Sequence, residues 1–442
     1  MQLRSSFLPQ DDGRCGWYGL LPPPTPGISV SGQINADWVV LGAGLAGMAA
    51  ARRLAELLPN ASIALVEARR AGFGAGGRNS GFMVDLPHDL NSHSYTSDKD
   101  ADRRIIRLSR GGIDYMREIV TRERIECDWR EQGKIHGAAN GQGTRALEAF
   151  SRGLSDLDEP HRMLDAAAMK AVTGTDFYKA GLHAPGCVLV QPAALCRGLA
   201  GSLPKNVTLY EDSPVSQIHV GQPHRLVTAN GTVTAPRLVL ATNAYASAFG
   251  ELGFKGRLLP VYTYGSLTRQ LTAEELTRLG GEGSWGLIPA DPLGTTVRRL
   301  ASGRICIRNS FTYNPDVAAT SRMLERAKRA HQKSFDVRFP MLPGVDFEYT
   351  WGGALCLSRN SGSAFGEIAP GVYSAVCCNG LGLTRSTIAG KLIAEYALGM
   401  DSELLRIMLE QPKPCRNPPE PLLGIGLRSS IAWKEWTAGI EL

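Results

Sequence analysis

Blocks of apolar and polar residues along the chain predict a mixed α/β protein. Trp38-Val39-Val40-Leu41 is a short, wholly apolar run, suited to a strand buried on both faces. Gly42-Ala43-Gly44-Leu45-Ala46-Gly47 follows, and then Met48 to Leu58 carries strong helix formers with one apolar face, stopped by Pro59-Asn60. Ser62 to Val66 reads as a second strand, with Glu67 at its end. These pieces make a strand-turn-helix-strand unit of about thirty residues. Arg69 to Gly81 is too glycine-rich for a helix or a regular strand. Residues 100–123 have the helical period, with Ile105, Ile106, Leu108, Ile113, Met116, Ile119 and Val120 as the apolar set. Residues 143–172 read as further helix.

Short strand-like runs dominate 186–243, and Asn230-Gly231 between two of them signals a hairpin. Residues 257–269 and 296–311 read as longer strands of a half-exposed sheet, and 318–333 as a basic amphipathic helix. Strands at Phe347–Thr350 and Gly371–Cys377 and a helix from Thr384 to Leu398 close the main body, before a proline-rich tail. The first 35 residues, with the run Leu21-Pro22-Pro23-Pro24-Thr25-Pro26-Gly27, read as an extended arm anchored by Trp17 and Tyr18.

Composition narrows the function classes. The chain has 442 residues, 43% hydrophobic and 20% charged, which excludes wholesale disorder, a collagen-like fibre or a coiled coil. Glycine is in excess, 50 residues, as expected of tight turns and close backbone approach to a ligand. The net charge of +6 is mild, and Arg103, Arg104, Arg107 and Arg110 are spaced as one solvated helix face rather than a nucleic-acid stripe. The nine cysteines form no CxxC pair and no Cys/His cluster at metal spacing, so neither a metal site nor a disulfide framework is expected. That usage, the lack of an apolar leader and the absence of a membrane-length apolar run lead us to expect a cytoplasmic protein.

The chemistry concentrates in Gly42-x-Gly44-x-x-Gly47. After a strand and before a helix, the first glycine allows a tight turn, the second lets backbone approach a pyrophosphate, and the third lets helix and strand pack closely. The helix N-terminus offers unpaired N–H groups to the phosphates. Glu67, twenty residues beyond Gly47, stands where an acidic residue accepts ribose hydroxyls, which favours FAD or NAD over NADP.

Gly74-Ala75-Gly76-Gly77-Arg78-Asn79-Ser80-Gly81 then resembles the GASGRNGG-like loop of the D-amino-acid oxidase/glycine oxidase (DAO) superfamily, nearest its γ-glutamylputrescine oxidoreductase-like branch. The resemblance extends through Ile125 to Arg130, Leu238 to Tyr245, Phe347 to Gly353, Gly380 to Thr384 with Ala389-Gly390-Lys391, and Pro418 to Leu422. It implies a doubly wound FAD-binding domain and a substrate domain built on a largely antiparallel sheet. The expected division is an arm at 1–35, an FAD domain at 36–95, 186–250 and 345–442, and a substrate domain at 96–185 and 251–344. FAD contacts are implied at Gly42, Ala43, Gly44, Leu45, Ala46 and Gly47, and at Glu67, Ala68 and Arg69. The loop adds Gly74, Ala75, Gly76, Arg78, Asn79, Ser80 and Gly81. Val215, Thr242, Asn243, Tyr245, Gly380, Leu381, Gly382, Leu383 and Thr384 complete the set. Two departures stand out. Leu381 occupies a position that often carries His, and Leu355 matches the cysteine that binds FAD covalently in sarcosine-oxidase relatives, with Cys356 one residue off. Non-covalent FAD is therefore expected, with Cys356 and the vicinal Cys377-Cys378 read as packing residues.

The resemblance implies oxidation of a C–N bond to an imine, by hydride transfer to flavin N5, with oxygen or another electron acceptor and no side-chain base required. Phe82, Met83, Tyr262, Tyr264, Arg308, Trp351 and Arg385 are the candidate pocket residues. An arginine in a dry pocket is costly unless paired, and it is the natural bidentate partner of an anion, so the two arginines point to an anionic amine. His136, His183 and His224 have no partner pattern and read as structural. The alternatives are a dehydrogenase passing electrons from a hydroxy acid or amine to a quinone or carrier, and a non-catalytic flavoprotein subunit.

Overall fold

The computed structural model describes residues 1–10, 14–87, 95–96 and 98–442, save the side chain of Glu251. Residues 11–13 of the expected arm and 88–94 of the expected first FAD segment lie outside them. The wholly apolar runs do form central strands. A six-stranded sheet has the order Val207–Tyr210, Ile63–Val66, Trp38–Leu41, Arg237–Leu240, Val372–Val376 and Ala364–Ala369. The first five are parallel and the last antiparallel. Helices Leu45–Leu57 and Thr387–Ala397 cover one face. The other face packs on a five-stranded sheet that contains the hairpin His224–Val227 and Gly231–Ala235.

An eight-stranded sheet stands beside this unit, in the order Phe347–Leu357, Leu259–Thr268, Ile305–Tyr313, Thr296–Arg299, Trp285–Pro289, Lys134–Ala138, Ala180–Ala184 and Arg162–Asp165. Only the Trp285–Pro289/Lys134–Ala138 pairing is parallel. Helix Ser321–Arg338 covers one face through Phe335, over Val297, Ile305 and Ile307. Side chains alternate along a strand, so Thr296, Arg298 and Arg308 point to the other face, towards the glycine-rich loop.

Several expectations change. The stretch 143–172 is two helices, Gly141–Asp156 and Ala166–Thr173, separated by strand Arg162–Asp165. Residues 296–311 are two antiparallel strands rather than one, and Leu259–Thr268 is covered on both faces rather than half-exposed. The first 35 residues are more than an arm. Gln2–Arg4 and Gly32–Asn35 are the two edges of the five-stranded sheet, and Leu3 and Trp17 are buried. Sheet membership also departs from the expected division at Phe347–Leu357, which pairs within the eight-stranded sheet. The basic helix face is laced with ion pairs: Arg103 meets Asp100, Arg107 meets Glu403, and Arg110 meets Asp85 and Glu159. No helix among the described residues is long and apolar enough to cross a membrane.

Candidate active site

Two adjoining cavities lie between the six-stranded and eight-stranded sheets, sharing Ala75, Ala354 and Gly382 as walls. The first runs along the end of strand Trp38–Leu41. Gly42, Gly44, Leu45, Ala46, Glu67, Ala68, Gly74, Ala75, Gly76, Thr242, Asn243, Tyr245 and Gly382 line it. The turn needs its glycines for different reasons. Gly42 has φ +102°, a left-handed conformation. A Cβ on Gly47 would overlap the Gly42 carbonyl oxygen, whereas a Cβ on Gly44 would meet nothing within 4 Å. Gly44 is thus open on the cavity side, directly at the N-terminus of a 13-residue helix. Glu67 is held against the same turn: its Oε2 accepts from the Ala43 N–H at 2.7 Å and its Oε1 from the Arg69 N–H at 3.0 Å. Burial raises its pKa, and those backbone donors oppose the shift.

The other expected contacts divide by position. Arg78, Asn79, Ser80, Gly380, Leu381 and Leu383 line the second cavity. Gly47, Ala43, Arg69, Gly81, Val215 and Thr384 line neither. Ala43 and Arg69 act by fixing Glu67, and the Arg69 side chain turns away to the Pro9 carbonyl at 3.0 Å. Asn79 staples the loop: its amide donates to the Ala75 and Gly76 carbonyls at 3.0 and 2.7 Å, and its Oδ1 accepts from the Gly81 N–H at 2.8 Å. Losing three such bonds at about 1 kcal/mol each should make Asn79→Ala bind FAD at least tenfold more weakly, read by flavin fluorescence on dilution.

The second cavity is lined by Phe82, Tyr264, Arg308, Leu355 and Ile288 as well as the loop. Of the seven pocket candidates, Phe82, Tyr264 and Arg308 are there. Tyr262 lines a neighbouring recess with Gln10 and Arg14, and its hydroxyl donates to the Val317 carbonyl at 2.8 Å. Met83 is buried in the core beneath the helices. Trp351 lies behind the loop, donating from Nε1 to the Arg78 carbonyl at 2.9 Å and meeting Trp17 edge-on. Arg385 turns from the cavities to the Ser363 hydroxyl at 3.4 Å, because its short π-helical turn, Gly382–Ser386, presents Gly382 and Leu383 instead. Nothing in the local sequence signals that rotation.

Arg308 is the outlier in charge. Its guanidinium faces the cavity, and among the described residues it has no ion pair or hydrogen bond, only the Phe311 ring at 5.2 Å. Burial lowers its pKa to about 10, so it stays charged at neutral pH. Among the described residues no Asp, Glu, His, Lys or Cys lines this cavity; Arg78, Arg308 and Tyr264 are its ionisable groups there. Arg78 is spoken for by the Phe73 and Gly352 carbonyls, at 2.9 and 3.2 Å. His136, His183 and His224 line neither cavity.

Residue reasoning missed Arg298. Fully buried between Trp17 and Phe82, it donates to the Ser80 carbonyl at 3.0 Å and the Val190 carbonyl at 2.6 Å, clamping the end of the loop. Its signal was the strand period, which sets it on the same face as Thr296 and Arg308. Pro9 in the first cavity was also missed, and Cys378, read as a packing residue, lines that cavity instead. Leu355 faces the second cavity, while Cys356 and Cys377 pack in the core on the other side, as expected. All nine cysteines are free.

The first cavity fits FAD on its own geometry. Gly44 leaves a space a side chain would fill, unpaired helix N–H groups face it, and the buried Thr242 hydroxyl has no partner. Gly42–Ala46 would hold the pyrophosphate, Glu67 the ribose, and Ala75–Ser80 with Gly380–Leu383 the ring end.

Comparison with known proteins agrees. The family model for DAO, FAD dependent oxidoreductase, matches residues 37–396. The chain is 30% identical to gamma-glutamylputrescine oxidoreductase of Escherichia coli over 373 residues, covering 83% of this chain and 84% of the relative. It is 27% identical to a probable oxidoreductase, OrdL, of Haemophilus influenzae, covering 84% of each. Among solved structures, glycine oxidase from Geobacillus kaustophilus superposes with a TM-score of 0.68 at 19% identity, covering 84% of this chain and 96% of that one. L-proline dehydrogenase from P. horikoshii gives 0.66 at 16%, with 85% and 96% covered. The chain belongs to the DAO family of FAD-dependent oxidoreductases.

Proposed function

We propose that the protein oxidises the C–N bond of a small amine or amino acid that carries an anionic group. Arg308 carries this reading: a charged guanidinium with no counter-ion among the described residues faces the cavity beside the flavin loop. Leaving it there costs free energy that a substrate carboxylate, phosphonate or sulfonate would recover. Phe82, Ile288, Leu355 and Leu381 supply an apolar lining for the carbon skeleton and exclude water. The name of the γ-glutamylputrescine relative supports an amine as the reacting group.

Bound FAD supplies the acceptor for the electron pair. The residues present the amine, hold its anionic end on Arg308 and leave the reacting carbon facing Ala75–Ser80. The amine becomes an imine as the α-hydrogen leaves with two electrons and the nitrogen loses a proton to water. Hydrolysis then gives a carbonyl compound and an amine or ammonia, and oxygen or another acceptor closes the cycle. Oxidation of a hydroxy acid would need a base for the O–H proton, and among the described residues none lines the cavity. With no acidic residue there among the described ones to keep an ammonium charged, the neutral amine is the reactive form. We expect kcat/KM to rise with pH and to level off at the pKa of the substrate amine, moving with that pKa across a substrate series. A plateau fixed at one pH for all amines would overturn this.

Product analysis tests the reading. Matched pairs should be offered aerobically and with a dye acceptor: an anionic amine, its hydroxy analogue and its neutral amide. Carbonyl product and released nitrogen in equal amounts from the anionic amine support it. Turnover of the hydroxy analogue alone contradicts it.

A further inference from the structure

The C-terminal helix, Leu422–Ala438, is apolar on both sides. Inward, Ile431 and Ala438 pack against Val261, Phe311 and Leu355, and Glu435 Oε1 accepts from the Phe311 N–H at 3.0 Å. Outward, Leu422 is 64% exposed, Ile425 58%, Trp433 64% and Trp436 73%, with Ile440 beyond the helix at 53%. At 3.6 residues per turn, Leu422, Ile425, Ser429, Trp433 and Trp436 fall within an arc of about 80°. No charged residue stands in that arc. With about 150–250 Å² per aromatic ring, the stripe presents on the order of 600 Å² of apolar surface, at the upper end of what a monomer leaves uncovered.

The stripe is complementary to itself. Turned about a two-fold axis through Ser429, an antiparallel copy sets Leu422 against Trp436 and Ile425 against Trp433, with Gly426 against Ala432. The small middle, where a Cβ on Gly426 would meet nothing within 4 Å, lets two backbones approach, while the tryptophans cover the aliphatic ends. Two such faces bury on the order of 1,200 Å², the lower bound of a specific interface. A helix that lies on lipid instead carries a dense basic face opposite its apolar one. Here the opposite face is already buried in the protein, and Arg428 and Lys434 are the helix's only basic residues. We propose that this helix is the interface of a two-fold symmetric homodimer, packed antiparallel across Ser429.

Sedimentation velocity of the holoenzyme at micromolar concentration tests this. The expected species has twice the 47.5 kDa chain mass. Trp436→Lys and Leu422→Glu should each weaken the dimer by about 30-fold or more, the scale of losing an aromatic anchor and its partner contact. Circular dichroism and flavin content should not change, since both positions are exposed. Combined in one chain, the two substitutions place opposite charges face to face across the axis and should restore the dimer. A monomeric wild type, or a dimer indifferent to both substitutions, would overturn the proposal. Weakening without rescue would overturn the antiparallel register. A monomer that floats with phosphatidylglycerol vesicles, and ceases to do so as Trp436→Lys, would assign the stripe to lipid.

Discussion

Arg308→Ala raises KM for the anionic amine by about 100-fold, because hydrogen bonds to charged groups contribute roughly 1.5–3 kcal/mol and a bidentate pair makes two. FAD content stays at the wild-type level, since Arg308 lines the second cavity and not the cofactor cradle. Converting the substrate's acid to a neutral amide should cost the wild type the same factor and cost Arg308→Ala little. Arg308→Lys should recover only part of the loss, because an ammonium cannot reproduce the planar fork. Arg385→Met provides the contrast. Arg385 meets Ser363 rather than the cavity, so KM should move less than about threefold, the scale of an indirect effect. Steady-state kinetics on both substrates decide it: equal KM values for Arg308→Ala and wild type would remove the anion anchor.

The second large effect separates two glycines three residues apart. Gly44 has φ −77°, which any residue adopts, and open space beyond its Cβ position. Gly44→Val should therefore fold with near wild-type stability and yet fill the space meant for pyrophosphate. The loss of charge-assisted bonds to the helix N-terminus, each about 1.5–3 kcal/mol, weakens FAD binding by about 100-fold. Gly47→Val should fail differently. Its Cβ would overlap the Gly42 carbonyl oxygen, a backbone atom that cannot swing away, and forced overpacking of this kind costs about 1–3 kcal/mol or more. Thermal unfolding of the two apoproteins, beside their flavin content, distinguishes the cases. A Gly44→Val protein that retains yellow flavin at the wild-type stoichiometry would contradict the assignment of the cradle.

What is legible in the sequence is what is local. The strand, the glycine turn, the helix and Glu67 span thirty consecutive residues, and each constrains its neighbours through short-range backbone geometry. The role of Gly74–Gly81 came from family resemblance, and the stretch read as too glycine-rich for a helix holds a short one, Ala75–Arg78; the orientation of Leu355 and Cys356 follows from strand alternation. Failures came where tertiary packing decides. Arg385 was placed near the flavin by sequence position, but the rotation of a π-helical turn points it elsewhere. Trp351 sits on a strand whose cavity-lining residues are Gly353, Ala354 and Leu355, and it packs against Trp17 instead. The proline run disguised the first 35 residues as an arm, though strands flank it and Pro9 lines the cofactor cavity. Arg298 was not singled out; its burial depends on Trp17 and Phe82, far away in sequence.

The most direct measurement is an anaerobic absorbance titration of the holoenzyme. Oxidised FAD absorbs near roughly 450 nm, a property of the cofactor that the protein only tunes. Full bleaching of that band by one anionic amine, with the neutral amide of the same compound far less effective and the hydroxy analogue inert, is the result expected. A flavin that every anionic amine leaves oxidised, and that a hydroxy acid reduces, would contradict the account.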